Sequence, residues 1–360
     1  MADVIVVGLG TMGSAAAEGL ARRGATVIGL DRWAPPHEHG AHSGGTRIMR
    51  LAYAEGASYV PLIRRSWELW GELQSRAGQR LLTPHEAVTI GRPDGALLGG
   101  VLETVRAHGL DHVTLDRDGL AKRYPQFRPA DDEVAVVDPA GATIYPEAAI
   151  DTCLSLAEVA GARLDVDVQV TGWRATASGV TVTTSAGEVS GDKLVICAGN
   201  GAPELLRDLE VPWRVERRLQ HYWRPHTESR FPAWMWNSGA GVTAYGLPWQ
   251  DPPGGVKAAF HHPTRGEQAE VRAWLADRIP EIAEGDWLGA TPCWYTLTPD
   301  EHFILGVHPA HENVVVAAGF SGHGFKFMPI IGDILADLAL TGETAHNLTL
   351  FAPARFAAVP

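Results

Sequence analysis

The chain has 360 residues, 45% of them hydrophobic, and a formal net charge of -12. Its length exceeds that of most single domains, so we expect two domains. The acidic balance, without any Lys/Arg run, argues against a nucleic-acid partner, because non-specific affinity for nucleic acids comes mainly from neutralised phosphates. No apolar run reaches the roughly 20 residues of a spanning helix and no basic leader precedes the first strand, so we expect a cytoplasmic protein without a membrane segment.

The opening of the chain predicts a βαβ unit. Apolar residues 4–7 form the first strand, a helix follows over 14–23, and residues 26–30 form the second strand. A strand, a glycine turn, a helix and a second strand in this order are typical of a Rossmann domain.

The turn after the first strand carries the spacing GxGxxG, at Gly8, Gly10 and Gly13. Such glycines allow a tight turn, close approach of a pyrophosphate and close packing of the following helix. Asp31, at the end of the second strand, is placed to accept hydrogen bonds from the hydroxyl groups of a ribose. The pattern predicts a dinucleotide site, but it does not distinguish NAD from FAD.

Three segments with helical spacing follow. Apolar residues recur over 59–73, with Gly78 as the expected stop, and again over 97–105 and 150–157. Residues 116–138, between the last two, are predicted to be mostly loop.

From residue 163 the pattern changes to alternation and short apolar runs, which are typical of strands. Residues 213–299 are rich in Trp, Pro and Gly, with strand-like segments and one helical segment over 267–278. The tail returns to a strand over 314–318, a glycine loop and a helix over 329–340.

The fold class predicted is α/β: a Rossmann-like nucleotide-binding domain, discontinuous in sequence, with a second α+β substrate domain built on a mixed sheet. We assign residues 1–79, 142–212 and 300–360 to the first domain, and 80–141 and 213–299 to the second.

The three cysteines, Cys153, Cys197 and Cys293, are widely spaced and include no CxxC pair, so neither a disulfide framework nor a zinc site is indicated. The histidines show no spacing typical of metal ligands, and we predict no metal. This applies to His37, His39, His262, His308, His311 and His323.

Five segments carry a resemblance to a known family. They read VIVVGLGTMGSAAA, PPHEHGAHSGGTRIMR, VKAAFHH, CWYTLTPDEHFILG and VVVAAGFSGHGFKF, and they extend over nearly the whole chain. The chain resembles the monomeric sarcosine oxidase and N-methyltryptophan oxidase group of the FAD-dependent amino-acid oxidases. The resemblance implies a monomer that binds FAD, oxidises a secondary amino acid with O2 and releases hydrogen peroxide.

Cys293 stands where that group joins a cysteine to the flavin ring as a thioether. Most free cysteines are simply small buried apolar residues, and we expect this of Cys153 and Cys197. We expect Cys293 on a polar loop between the two domains, where its sulfur could reach the ring.

The resemblance implies that Arg50 and Lys326 hold the substrate carboxylate, which suits the planar fork of arginine and the point charge of lysine. It implies that Lys257 helps oxygen to accept electrons, because a fixed cation stabilises developing negative charge. The residues expected on the substrate side are Tyr245, His261 and Tyr295.

The GxGxxG pattern and the resemblance together predict a larger set of cofactor-binding residues. These are Gly8, Gly10, Thr11, Met12, Gly13, Asp31, Arg32, His42, Ser43, Thr46, Arg47, Val170, Ala198, Gly199, Cys293, Gly322, His323, Gly324, Phe325 and Lys326.

Two features depart from the group. Ser43 follows His42 where the group commonly has a second histidine, which leaves the tuning of the flavin open. Trp234, Trp236 and Trp249 are expected near the pocket mouth, which leaves the substrate size open.

Four alternatives remain at this point. The protein could pass electrons to an acceptor other than oxygen, or act on a larger N-carboxymethyl or cyclic imino acid. It could also be an NAD-dependent reductase with a structural cysteine, or a flavin-binding protein without catalysis.

Overall fold

The computed structural model describes residues 2–239, 241–249, 255–262, 264 and 266–356. The side chains of Trp249 and His262, named above, lie outside the described part.

Helices and strands alternate along most of the chain. The helices are α1 Thr11–Arg22, α2 Val60–Ala77, α3 Ala96–His108, α4 Arg117–Arg123, α5 Pro146–Val159, α6 Ala202–Leu205, α7 Gln268–Arg278, α8 Pro280–Ala283 and α9 Met328–Thr341. The strands are β1 Ala2–Val7, β2 Val27–Leu30, β3 Arg47–Met49, β4 Leu82–Gly91, β5 Val113–Leu115, β6 Val134–Ile144, β7 Arg163–Asp165, β8 Val170–Thr176, β9 Gly179–Thr184, β10 Gly187–Ile196, β11 Arg214–Arg224, β12 Ala233–Asn237, β13 Thr243–Trp249, β14 Gly255–His262, β15 Asp286–Leu297, β16 Ile304–His308 and β17 His311–Ala318.

The first sheet has the order β16-β17-β10-β1-β2-β7, with β8 and β9 attached beside β10. β7, β2, β1, β10 and β17 run parallel, as the predicted Rossmann start requires. Their Val/Ile-rich sequences suit a sheet that is covered on both faces. Helices α1, α5 and α9 pack together in the core with β1, and this arrangement confirms the predicted α/β fold class.

The second sheet has the order β15-β11-β14-β13-β12-β4-β6-β3, with β5 beside β6. Its strands pair antiparallel except β12 and β4. β3, from the segment assigned to the first domain, pairs with β6 in this sheet. The domain boundaries given above remain a prediction.

Three predictions about local structure were wrong. Residues 116–138 contain α4, capped by the Asp116 carboxylate, and the start of β6, whose pairing with β4 is long-range. Helix α1 begins at Thr11, three residues earlier than predicted. Cys293 lies within β15, paired with Arg218 of β11, and not on a loop; the glycine and proline of this strand obscured it in the sequence.

Within the described residues, no helix is both long enough and apolar enough to cross a membrane.

Candidate active site

A cavity of about 430 Å³ is lined by residues of both sheets. Its wall includes the turn after β1, the strand β14 and the Gly-rich loop before α9. The cavity therefore brings together residues that are nearly the whole chain apart in sequence.

Two glycines of the GxGxxG turn, Gly8 and Gly13, are sterically required. Gly8 has φ +87°, and a Cβ there would lie 2.4 Å from the carbonyl oxygen of Cys197. A Cβ on Gly13 would lie 1.6 Å from the carbonyl oxygen of Gly8. Gly13 thus supports close packing of α1 and does not itself line the cavity.

The amino end of α1 faces the cavity through Gly10, Thr11 and Met12. Among the described residues no side chain caps this end, and the first turn of α1 carries no acid. The free N–H groups and the helix dipole form a site for an anion such as a pyrophosphate.

The Asp31 carboxylate is held by the backbone at the end of β2. Its Oδ2 accepts from the N–H of Leu9 at 2.7 Å, and its Oδ1 accepts from the N–H of Trp33 at 3.0 Å. Asp31 lines the cavity, and each carboxylate oxygen can accept a further hydrogen bond.

Cys293 lines the cavity, and its Sγ lies 3.6 Å from Nη2 of Arg47. The same Nη2 donates to the carbonyl oxygens of Ala41 and Ser43 at 2.8 and 2.7 Å, which fixes the guanidinium. The sulfur therefore lies beside a fixed positive charge.

Lys257 is fully buried in β14 and lines the same cavity. Its Nζ donates to Oε1 of Gln220 at 2.9 Å, to the carbonyl oxygen of Gly44 at 3.4 Å and to that of Thr46. Burial, followed by the charge of Arg47, lowers the pKa of Lys257 well below its usual value. Three oxygen acceptors around Nζ nevertheless match the three donors of an ammonium group, and we assign it as charged.

Arg50 is 1% exposed and pairs with Glu55, whose two carboxylate oxygens each lie 3.1 Å from Nη2. In the described part of the chain, Nε and Nη1 of Arg50 are buried and have no hydrogen-bond partner. Burial by itself would raise the pKa of Glu55, but the neighbouring positive charges, that of Arg50 first, lower it to about 2. In this buried ion pair, Nε and Nη1 together carry three N–H donors, and buried donors require a further acceptor.

Lys326 lies in a short 3-10 helix, Phe325–Phe327, and is 3% exposed. Its backbone oxygen accepts from Ser66 Oγ at 2.6 Å and from Trp70 Nε1 at 2.9 Å, both on α2. Its Nζ donates to the carbonyl oxygen of His323 at 2.8 Å. Burial, which the charge of Glu55 only partly offsets, lowers the pKa of Lys326 to about 7.

Tyr245, His261 and Tyr295 line the cavity together, and Nδ1 of His261 lies 3.2 Å from the hydroxyl of Tyr295. Burial raises the pKa of both tyrosines, so their hydroxyls stay protonated at neutral pH. Gly322, with φ +80°, lets the loop lie against Tyr295, because a Cβ there would be 2.3 Å from its ring.

The structure brings most predicted site residues to this cavity. All six residues predicted as catalytic line it, and so do most of the predicted cofactor-binding residues. Gly13, Ser43 and Thr46 are outside the lining. The Ser43 hydroxyl donates to the carbonyl oxygen of Pro292 at 2.6 Å, and burial lowers the pKa of the neighbouring His42 to about 3.

Several residues that line the cavity were not predicted from the sequence, namely Ile48, Glu55, Met235 and Leu247. Glu55 had a signal: it is an acid five residues after Arg50 in a segment that is otherwise apolar or small. The three apolar residues had none, because an apolar residue in a strand is expected in any core.

The expectation that Trp234 and Trp236 lie near the pocket mouth was wrong. Both are fully buried and pack against Trp274, with ring centroids 5.6 Å apart in each pair. Side chains alternate along β12, so Met235, between them, faces the cavity. The tryptophans are therefore no evidence for a reshaped pocket.

Asp208, His308 and His311 meet at the β16–β17 turn, with one ligand atom from each within 4.8 Å of the others. Nδ1 of His308 accepts from the N–H of Ala310 at 3.2 Å, so the neutral ring carries its proton on Nε2, 3.0 Å from Oδ2 of Asp208. With its proton on Nε2, the ring of His308 can contact the Asp208 carboxylate without a metal between them. The absence of a metal from the protein remains a prediction.

The model of the family "FAD dependent oxidoreductase" matches residues 3–338. The chain belongs to this family. It is 42% identical to a monomeric sarcosine oxidase of Streptomyces avermitilis, over 99% of this chain and 98% of that protein. It is 33% identical to an N-methyl-L-tryptophan oxidase of Salmonella dublin, over 98% of this chain and 99% of that protein. The predicted resemblance and the class of FAD-dependent oxidoreductase are confirmed.

Solved structures agree with this assignment. The enzyme is similar to NikD, an amino acid oxidase essential for nikkomycin biosynthesis, in its open form, with a TM-score of 0.85, 26% identity and coverage of 98% of this chain and 97% of that one.

The described residues fit FAD: the uncapped end of α1 suits its pyrophosphate, and Asp31 has acceptor capacity for its ribose. The family membership decides that the dinucleotide is FAD and not NAD.

Proposed function

We propose that the enzyme oxidises a secondary amino acid with a free carboxylate, using oxygen as the final acceptor. The products are an imine, which water hydrolyses, and hydrogen peroxide. The observation that carries the proposal is the presence of two buried cations, Arg50 and Lys326, in the wall of the cavity. The names of the relatives, sarcosine oxidase and N-methyl-L-tryptophan oxidase, support the substrate class.

Arg50 and Lys326 bind the carboxylate in this proposal. Nε and Nη1 of Arg50, which have no partner in the described part of the chain, offer donors, while Glu55 keeps Nη2 in place. Charge-assisted bonds in a buried site are stronger than those in water, so they orient the substrate well.

The remaining polar residues orient the amine and supply no strong base. The hydroxyls of Tyr245 and Tyr295 stay protonated, because the pKa values of both are raised. The ring of His261 is hydrogen-bonded to the hydroxyl of Tyr295. The buried positive charges of Arg50, Lys257 and Lys326 disfavour an ammonium group in the cavity. We infer that the amine binds in its neutral form. FAD, when bound, supplies the two-electron acceptor, and the protein supplies orientation and charge.

Lys257 serves the reaction with oxygen. Its ammonium group is fixed by three acceptors and needs no reorganisation when negative charge develops near it.

Cys293 is the site at which FAD is joined to the protein through a thioether. Cys293 lines the cavity with its sulfur beside Arg47. Cys197 also lines the cavity, but burial raises the pKa of its thiol, and Cys153 lies in the core of the first sheet's helices. We further propose that the enzyme acts as a monomer.

An anaerobic reduction series tests the proposed function. Sarcosine, larger N-methyl amino acids and proline should be compared with the corresponding amines that lack the carboxylate. We expect only carboxylate-bearing secondary amines to bleach the flavin, and peroxide to form in proportion to the oxygen consumed in air. Equal reduction by the decarboxylated amines would contradict carboxylate recognition. Rapid dye reduction without peroxide would identify a dehydrogenase.

A further inference from the structure

Tyr53 follows Arg50 by three residues and lies behind the carboxylate-binding cations. It is fully buried and does not line the cavity. The ammonium nitrogen of Lys326 lies 4.6 Å from the centroid of its ring, and Cζ of Arg50 lies 5.2 Å from the same centroid. One aromatic ring thus contacts both cations that the proposed function assigns to the substrate carboxylate.

The hydroxyl of Tyr53 makes a second connection to the same site. It lies 2.5 Å from Nδ1 of His323, whose Nε2 lies 2.9 Å from the carbonyl oxygen of Glu301. That oxygen can only accept, so Nε2 carries the ring proton. Burial lowers the pKa of His323 to about 4, so the ring is neutral and Nδ1 accepts from the Tyr53 hydroxyl.

His323 completes a closed set of contacts, because its carbonyl oxygen accepts from Nζ of Lys326 at 2.8 Å. Tyr53 therefore contacts Lys326 directly through its ring and indirectly through His323. Two like charges in a buried site repel each other, and the electron-rich face of an aromatic ring offsets part of this cost.

We propose that Tyr53 is the positioning residue of the carboxylate site: its ring holds Lys326 and Arg50 in place and favours the charged form of Lys326. The inference rests on the proposed function, because it assumes that these two cations bind the carboxylate. The charged and titratable groups described around Lys326 are Arg50, Tyr53, Glu55 and His323.

The test measures binding of methoxyacetate to the holoenzyme through the flavin absorbance, from pH 5.5 to 9. This ligand keeps the carboxylate and replaces the amine by an ether oxygen, so it cannot be oxidised as an amine. In the unmodified enzyme, affinity should fall as pH rises through the pKa of Lys326, about 7. Methoxyacetamide, without the charge, should bind weakly at every pH. Absence of this preference would contradict the proposed function and the inference together.

Tyr53→Leu removes the ring and should lower the midpoint of the pH profile by about one unit, with a roughly tenfold loss of affinity at pH 7. Tyr53→Phe keeps the ring and should leave the midpoint in place. The matched control is Tyr59→Leu. Tyr59 is equally buried and packs beside Tyr53 and His323, but among the described residues its ring contacts Phe303, Phe327 and Phe351 and neither Lys326 nor Arg50. A purely structural loss would affect both leucine variants alike and leave both midpoints unchanged.

A second series avoids any folding defect of Tyr53→Leu. Phenylalanine analogues with one, two and three ring fluorines at position 53 have nearly the same shape but a progressively weaker ring face. We expect the midpoint to move to lower pH in steps with the number of fluorines. Carboxylate binding with the same midpoint throughout this series would overturn the role of Tyr53 and leave the proposed function intact.

Discussion

Nη2 of Arg50 lies 3.1 Å from each carboxylate oxygen of Glu55, inside the cavity whose wall also includes Lys326. The protein thus carries its own carboxylate in the part of the site assigned to a substrate carboxylate. Glu55 compensates part of the buried positive charge, and within the described residues Nε and Nη1 of Arg50 have no hydrogen-bond partner.

Glu55→Gln tests the energetic role of this pair. The lowered pKa of Glu55, about 2, means that its ionised form stabilises the folded protein above the unfolded pKa of roughly 4.3. This stabilisation is lost as pH falls through the folded value. The variant should therefore melt at a lower temperature than the unmodified enzyme at pH 7, and the difference should shrink between about pH 4 and pH 2. Glu68→Gln, which affects an exposed ion pair, is the control. An equal difference at pH 7 and pH 3 would contradict the assignment.

Arg50→Lys tests the carboxylate contact. Lysine keeps the charge but loses the planar fork, so the dissociation constant of a carboxylate substrate should rise about 10- to 100-fold, as expected for the loss of charge-assisted hydrogen bonds. The same amine without its carboxylate should bind to the variant and to the unmodified enzyme with equal affinity. Arg64→Lys, at an exposed position of α2, serves as the matched control. Anaerobic titration of the flavin provides the measurement.

Lys257→Met removes the buried ammonium group and keeps the length of the side chain. We expect reoxidation of the reduced enzyme by oxygen to slow by about 100-fold or more, since removal of one preorganised charge-stabilising group has effects of this size. Anaerobic reduction by substrate should change much less. Stopped-flow absorbance separates the two half-reactions, and Lys122→Met, at an exposed site, is the control. Unchanged reoxidation would remove Lys257 from the oxygen reaction.

Cys293→Ser tests the covalent bond to FAD. The unmodified enzyme should stay yellow after acid precipitation, and its Cys293 peptide should show the added flavin mass. The serine variant should release its colour to the supernatant, because a hydroxyl is a far weaker nucleophile than a thiol. Cys153→Ala should retain the bound colour; burial raises the pKa of this thiol, which lies in the core. A colourless pellet from freshly purified, fully loaded enzyme would show that the cofactor is not covalently bound.

The contrast between local and long-range information explains which predictions were confirmed. The turn after β1 depends on neighbouring residues: Gly8 needs a positive φ and Gly13 needs space, so the spacing alone predicts them. The end of α2 at Gly78, also at positive φ, follows from the same kind of local rule. Cys293 shows the opposite case. Its place inside β15 follows from pairing with β11, more than seventy residues earlier in the chain.

The sequence by itself determined the family, the Rossmann start and the residue types available for chemistry, because these depend on short segments with fixed spacing. Only the tertiary structure decided that Glu55 pairs with Nη2 of Arg50 and that Tyr53 contacts both Arg50 and Lys326. It also decided that Trp234 and Trp236 lie in the core. Those relationships arise from the pairing and packing of distant segments, in which the burial and charge of each residue depend on neighbours that no local pattern specifies.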